Sequence, residues 1–246
     1  MVVVHSSSEQ NKLREAGRIV ALVHKELKQL IKVGISTLEL DTVARDLIDR
    51  EGGVPAFLGY KGFPFTICAS VNRTIIHGFP NVRKLEEGDI VSIDVGVKKE
   101  GYYGDAAFSM QVGEGTEEIQ RLIDTSNNTL NEAINVIKAG VTTGTVGRII
   151  EEYAASYGYS MVHNYIGHGI GRQLHMEPPI YNYGRDCDGI KLKEGMCICI
   201  EPMLCVGSSS NYRLPDGWSV VTEDGSMSAH VEHQVIVHKD YAEIIT

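Results

Sequence analysis

LIKVGIST at residues 30–37 returns 106 positions later as VIKAGVTT at residues 136–143, pairing Lys32 with Lys138, Gly34 with Gly140 and Thr37 with Thr143. Each copy lies between two helical patterns. Ahead of the first, Leu13, Ala16, Ile19, Val20, Val23, Leu27, Leu30 and Ile31 recur at helical spacing behind an N-cap of the Ser8 type. Behind it, Ser36 and Glu39 form a capping box that opens a helix through Leu40, Val43, Ala44, Leu47 and Ile48, stopped at Gly52-Gly53. The second copy follows a helix expected from Ile119 to Ile137, capped near Thr116, and precedes one from Val146 to Tyr157 that Gly158 ends. Gly52 and Gly158 keep the offset. Strand-type sequence follows each helix pair, and Asp94 falls at nearly the same place in its half as Glu201 in the other. The expected architecture is α+β: two pseudo-symmetric halves, about 9–112 and 116–240, forming a curved antiparallel sheet with helices on its outer face.

SIDVGVKKEGYYGDAAF (92–108) reads as a hairpin turning at Glu100-Gly101. With that two-residue loop Asp105 lies opposite Gly96, on the strand face that carries Asp94; with a loop at Lys99-Glu100 it lies opposite Asp94 itself. Either register gathers both carboxylates on one face, where two like charges need a cation between them. IGHGIGRQLHMEPP (166–179) sets His168 between glycines that allow close backbone approach, with His175 seven residues on. In CICIEPM (197–203), Cys197, Cys199 and Glu201 share one strand face and Ile198 and Ile200 the other, ahead of the stop at Pro202. SAHVEHQVIVH places Glu232 in strand-like sequence as well. Asp94, Asp105, His168, Glu201 and Glu232 thus make an oxygen-rich set suited to two divalent cations with shared ligands.

The formal charge of -9 argues against nucleic acid as the main partner, and two divalent ions would neutralise part of it. No run of eighteen apolar residues occurs, and MVVV is too short for a signal-peptide core, so a cytoplasmic protein without membrane attachment is expected. Five scattered cysteines, at 68, 187, 197, 199 and 205, fit a reducing compartment and match no common thiolate metal pattern. GSSSN (207–211) reads as a mobile surface loop.

These blocks, with GYKGFPFTICASVNRTIIHGFP (59–80) and DGWSVVTEDGSMSAHVEHQVIV (216–237), resemble the type I methionine aminopeptidases over about residues 9–240. The resemblance implies the pita-bread fold in a single catalytic domain, 1–246. It implies metal roles for the same five residues, with Co, Mn, Fe or Zn as candidate ions. His77 and His175 would contact substrate, and Tyr60, Phe63, Cys68, Leu174 and Trp218, with Phe57 at the rim, would hold the N-terminal side chain. A monovalent cation site near Asn72, Thr74 and Ser228 is also implied. Departures fall at Lys61, where many members carry His, at Leu174, Phe57 and Ala106-Ala107, and they bear on pocket shape. The chain lacks the long insertion of type II enzymes and a Cys-rich N-terminal extension.

The reaction expected is hydrolysis of the first peptide bond of a protein beginning with Met. Asp105 and Glu232 would bridge two ions, with Asp94 completing one site and His168 and Glu201 the other; Glu201 would be the general base. His175 would donate to the oxyanion and His77 orient the amide. Nascent polypeptide N-termini are the expected partners, with transient ribosome contact and a monomeric state. A proline-directed dipeptidase of the same fold and a metal-free peptide-binding module are the alternatives. A facial-triad dioxygenase is excluded, because one His and four carboxylates are not its ligand set.

Overall fold

The computed structural model describes residues 2–246. The first helix, α1 (Ser7–Leu30), starts two residues earlier than the sequence pattern suggests, because Ser6 and not Ser8 forms the capping box with Glu9. Helix α2 (Thr37–Arg50) carries the expected Ser36/Glu39 box. Five strands follow: β1 (Val54–Pro55), β2 (Ile67–Val71), β3 (Thr74–Ile76), β4 (Ile90–Lys99) and β5 (Tyr102–Gln111). The second helix pair is α3 (Glu117–Asn135), capped by Thr116, and α4 (Thr143–Ser156), capped by Thr142. Then come β6 (Ser160–Met161), β7 (Gly167–Gly169), β8 (Met176–Ile180), β9 (Cys197–Ile200), β10 (Met203–Cys205), β11 (Asn211–Arg213), β12 (Val220–Thr222), β13 (Ser228–His230), β14 (His233–Val237) and β15 (Ala242–Ile244). Gly34 and Gly140, the paired glycines of the echo, both take positive φ, 90° and 95°. A side chain there would be strained in either half.

The strands divide among four antiparallel sheets rather than one unbroken sheet. Strand β4 pairs with β1, β2 and β5, while β9 lies between β14 and β7. The turn at Glu100-Gly101 has φ of 48° and 82°, which selects the two-residue loop and pairs Gly96 with Asp105. The halves are joined by the β3–β12 pairing and, at the site, by a backbone bridge. Ala107 N–H donates to the Glu232 carbonyl at 3.3 Å and Glu232 N–H to the Ala107 carbonyl at 2.9 Å. Glu232 therefore sits in the break between β13 and β14 rather than inside a strand.

Alternation along β4 sorts the chemistry. Val91, Ile93, Val95 and Val97 pack under α1 and α2 with Ile19, Val23, Leu40 and Ile48, leaving Asp94 on the opposite face. In the second half, Ile198 and Ile200 of β9 pack with Leu122 and Leu130 of α3 and Ile150 of α4. Cys197 and Cys199 face a third apolar cluster with Phe57, Phe63, Cys68 and Leu174. The helices thus cover the outside of both halves and the site opens between them. The 207–211 segment is tied down: Ser208 N–H donates to Asp224, and the Asn211 amide pairs with Asn164.

Candidate metal centre and its pocket

One register row crosses the molecule through the site. Cys68 pairs with Asp94 and Asp94 with Ala107, Ala107 bridges to Glu232, and Glu201 lies one step past the Ile200–His233 pair. Ala107 is the small side chain between two acids, so Asp94 and Glu232 converge from different halves. Asp105 stands two residues before Ala107 on the same face. Its backbone N–H donates to Gln234 Oε1 at 3.0 Å, and Gln234, fully buried, donates in turn to the Tyr103 carbonyl and Cys197 Sγ. That cross-half staple has no sequence motif, since a lone Gln in a strand resembles any polar surface residue.

His168 reaches the acids from β7. A Cβ at Gly167 would strike the Cys199 carbonyl and one at Gly169 the Glu177 carbonyl, so only glycines let this strand come so close. His168 Nδ1 donates to the Gly169 carbonyl at 2.9 Å. Its Nε2 lone pair then points toward Asp105 Oδ2 and Glu201 Oε1, each 3.8 Å away.

Burial drives the titration of this set. Desolvation pushes Asp94 up to about 7. Asp105, Glu201 and Glu232 go well above the carboxylate range, through burial first and then through one another's negative charge. Burial holds His168 down to about 3. Asp94 Oδ1, Asp105 Oδ1 and Glu232 Oε1 are buried without a hydrogen-bond partner. Unpaired buried carboxylate oxygens are expensive, and four acids around one imidazole are matched chemically by divalent cations. The residues fit such ions.

Asp105, His168, Glu232 and Cys199 each offer a donor atom within 4.8 Å of the others. Cys199 was read from the sequence only as a small apolar strand residue. Its thiol is pushed well above its ordinary value by burial and then by Glu232 and Asp105, so it stays neutral beside the Glu232 carboxylate.

A cavity of about 510 Å³ opens onto these acids. Phe57, Tyr60, Phe63, Cys68, Leu174 and Trp218 all line it, as do His77 and His175. Phe57 is buried in the wall rather than at the edge, its ring filling the space a Cβ on Gly96 would need. Phe63 and Trp218 meet edge to face at 5.1 Å. His77 adopts φ of 56°, a left-handed conformation rare for a residue with a side chain. His175 Nδ1 is 2.8 Å from the Tyr60 hydroxyl and its ring is 4.3 Å from that of His168. Desolvation inside the cavity lowers His77 to about 4 and, though its ring keeps an exposed edge, His175 to about 4 as well, so each is neutral near pH 7. The cavity also takes in residues the sequence reading did not single out, His230 and Arg213. His230 is buried with Nε2 unpartnered, 3.8 Å from Glu201 Oε2 on the side away from His168.

Asn72, Thr74 and Ser228 also come together: Ser228 Oγ donates to the carbonyls of Asn72 and Thr74, at 3.3 and 3.2 Å.

An antiparallel α+β shell around a buried carboxylate–imidazole cluster at the foot of a part-apolar cavity is the arrangement of a metal-dependent peptidase. Residues 11–239 match the model of metallopeptidase family M24, and the chain belongs to that family. It is 42% identical to methionine aminopeptidase 1 of Bacillus subtilis over 246 residues, covering 100% of this chain and 99% of that one. The crystal structure of methionine aminopeptidase from Rickettsia prowazekii superposes with a TM-score of 0.98 at 39% identity, covering both chains completely. Prolidase from Pyrococcus furiosus shares the fold alone, with a TM-score of 0.80 at 23% identity, and this chain covers 65% of it.

Proposed function

We propose that this chain removes the N-terminal methionine of proteins and peptides by hydrolysing the first peptide bond, best when the second residue is small. The observation that carries the reading is the meeting of four carboxylates and His168 beneath an apolar wall set with two neutral histidines. Asp94, Asp105, His168, Glu201 and Glu232 would hold two divalent ions, with Asp105 and Glu232 shared between them. Bound there, such ions supply Lewis-acid polarisation of the scissile carbonyl and a water acidic enough to ionise near neutral pH. Co, Mn, Fe and Zn all suit the donors.

The chain's own groups do the rest. Glu201 takes the attacking water's proton and passes it to the leaving amine, its carboxylate standing at the end of β9 beside the other acids. The Tyr60 hydroxyl donates to His175 Nδ1, which leaves Nε2–H as the donor to the developing oxyanion. His77, braced by Trp218 and Tyr165 at ring separations of 5.9 and 6.1 Å, orients the substrate amide. Phe63, Trp218, Leu174 and Cys68 receive the Met side chain, whose burial contributes about 1.5 to 3 kcal/mol. A thioether also gains from contact with aromatic rings. We further read residues 1–246 as one catalytic domain of two pseudo-repeats. Asn72, Thr74 and Ser228 would bind a monovalent cation. The protein would act in the cytoplasm as a monomer on nascent chains, with transient ribosome contact. Among the described residues no helix is long and apolar enough to cross a membrane.

The test is to strip metal with a chelator and follow Met release from a Met-Ala-Ser peptide, beside an X-Pro dipeptide, before and after restoring Mn, Co, Fe or Zn. Release should vanish and return for the Met peptide only. Full activity in verified metal-free protein, cleavage within the peptide, or preference for X-Pro overturns the reading.

A further inference from the structure

Two cations line the catalytic cavity at its mouth without an ionic partner. Lys61 and Arg213 are both exposed and both belong to the cavity wall. Among the described residues neither forms a salt bridge. Asp216 accepts from the backbone amides of Trp218 and Ser219. Arg172, in the adjoining groove with Glu177, is taken up by Glu9.

The two cations stand on separate elements and address different histidines. Lys61 lies in a left-handed turn, with φ of 49° between Gly59 at 82° and Gly62 at 89°. Its Nζ is 5.3 Å from the ring of Tyr60, the residue that holds His175. Arg213 ends β11 on the side of His77, whose proton affinity it lowers, as Lys61 lowers that of His175. A substrate held by His77 and His175 lies in the cavity whose wall includes both cations. Extended chain advances about 3.3 to 3.6 Å per residue, so the third and fourth residues of a bound peptide come to the mouth. The chain as a whole carries -9 and repels acidic peptides; an unpaired cation pair at the mouth reverses that field locally.

We propose that Lys61 and Arg213 form a carboxylate-reading rim that favours substrates with an acidic group two or three residues beyond the N-terminal Met. This rests on the aminopeptidase reading. The group is either an Asp or Glu side chain of a longer chain or the terminal carboxylate of a short peptide.

The experiment measures kcat/KM of the metal-loaded full-length enzyme on Met-Ala-Glu amide, Met-Ala-Gln amide, Met-Ala-Lys amide and Met-Ala-Gln free acid, at low and high salt. At low salt Glu should exceed Gln by about threefold to tenfold, with Lys lowest, and the spread should shrink to under about twofold in 0.5 M salt. In Lys61→Gln/Arg213→Gln the Glu-to-Gln ratio, taken within one enzyme so that general losses cancel, should fall to about one. In Lys61→Glu/Arg213→Glu the order should invert in favour of Lys. An acid-over-amide preference without a Glu preference assigns the rim to chain termini, and the reverse assigns it to side chains. Equal rates on all four peptides, or a Glu preference that survives both double variants, overturn the proposal. No Met release from the neutral Gln amide would instead overturn the aminopeptidase reading.

Discussion

The two acid pairs of the centre are built in different ways. Asp94 and Asp105 sit on one hairpin of two ten-residue strands, and a two-residue turn sets their relation. Glu201 follows the end of β9 and Glu232 occupies a break between strands, so neither is placed by its own ladder. They are placed by the Ala107–Glu232 bridge and the packing of β9 against β14. The first pair is local and the second tertiary. A metal site spanning both can be damaged from either side, but damage to the second pair travels through contacts distant in sequence.

The largest expected effect comes from removing one charge from each pair. Asp105→Asn and Glu232→Gln should each lower kcat/KM for Met-Ala-Ser by more than about a hundredfold and reduce bound metal measured by elemental analysis. A variant that keeps both its metal and its rate would remove that residue from the ligand set. Next, Gln234→Leu cuts the staple between the halves and leaves the Asp105 amide and the Tyr103 carbonyl short of partners. Urea unfolding should show a loss of about 1 to 3 kcal/mol, with weakened metal binding though no ligand was changed. Unaltered stability would mean that the two pairs do not depend on this contact.

A graded effect should appear with pH in metal-stripped protein. The four acids titrate above their unfolded values, Asp94 near 7, so the folded state holds more protons than the unfolded chain. Their protonated, folded form is therefore lost as pH rises through those values. His77, His168 and His230 act the other way, being lowered to about 3 or 4, and their effect fades only above about pH 7.5, where the unfolded chain has shed its imidazole protons. From about pH 7.5 to 8.5 the carboxylates dominate. The urea midpoint should fall across that window with chelator present and fall less when metal is restored; a midpoint rising with pH would contradict the burial of the acids. The smallest effect compares the helix caps of the two halves. Ser36 has a reciprocal box with Glu39, while Thr142 caps the Thr145 amide without an acidic partner. Ser36→Ala should cost about 1 to 2 kcal/mol and Thr142→Ala about 0.5 to 1 kcal/mol in thermal unfolding.

What was legible followed from local rules. Helical spacing and caps marked four helices, with starts two residues late at α1, where two serines compete for one cap, two late at α3, and three late at α4, where the apolar pattern begins only at Val146 although Thr142 caps the helix. Strand alternation put Asp94 and Asp105 on one face and separated Cys199 from Ile198. The pocket residues came from a resemblance rather than from pattern, since aromatic residues in loops read as core until the fold shows what they surround. His230 and Gln234 were missed because an isolated His or Gln in strand sequence has no signature.

By itself the sequence determined the helix pairs and the shared strand face of Asp94 and Asp105, and it picked out the five metal-type residues, because each depends on neighbours within a few positions; the hairpin register waited for the turn's backbone. Only the tertiary structure decided that Glu232 bridges to Ala107, that Gln234 holds the Asp105 backbone, and that Lys61 and Arg213 line one cavity. Those relations join residues more than a hundred positions apart, and only the closure of the two halves brings them within hydrogen-bonding or electrostatic reach.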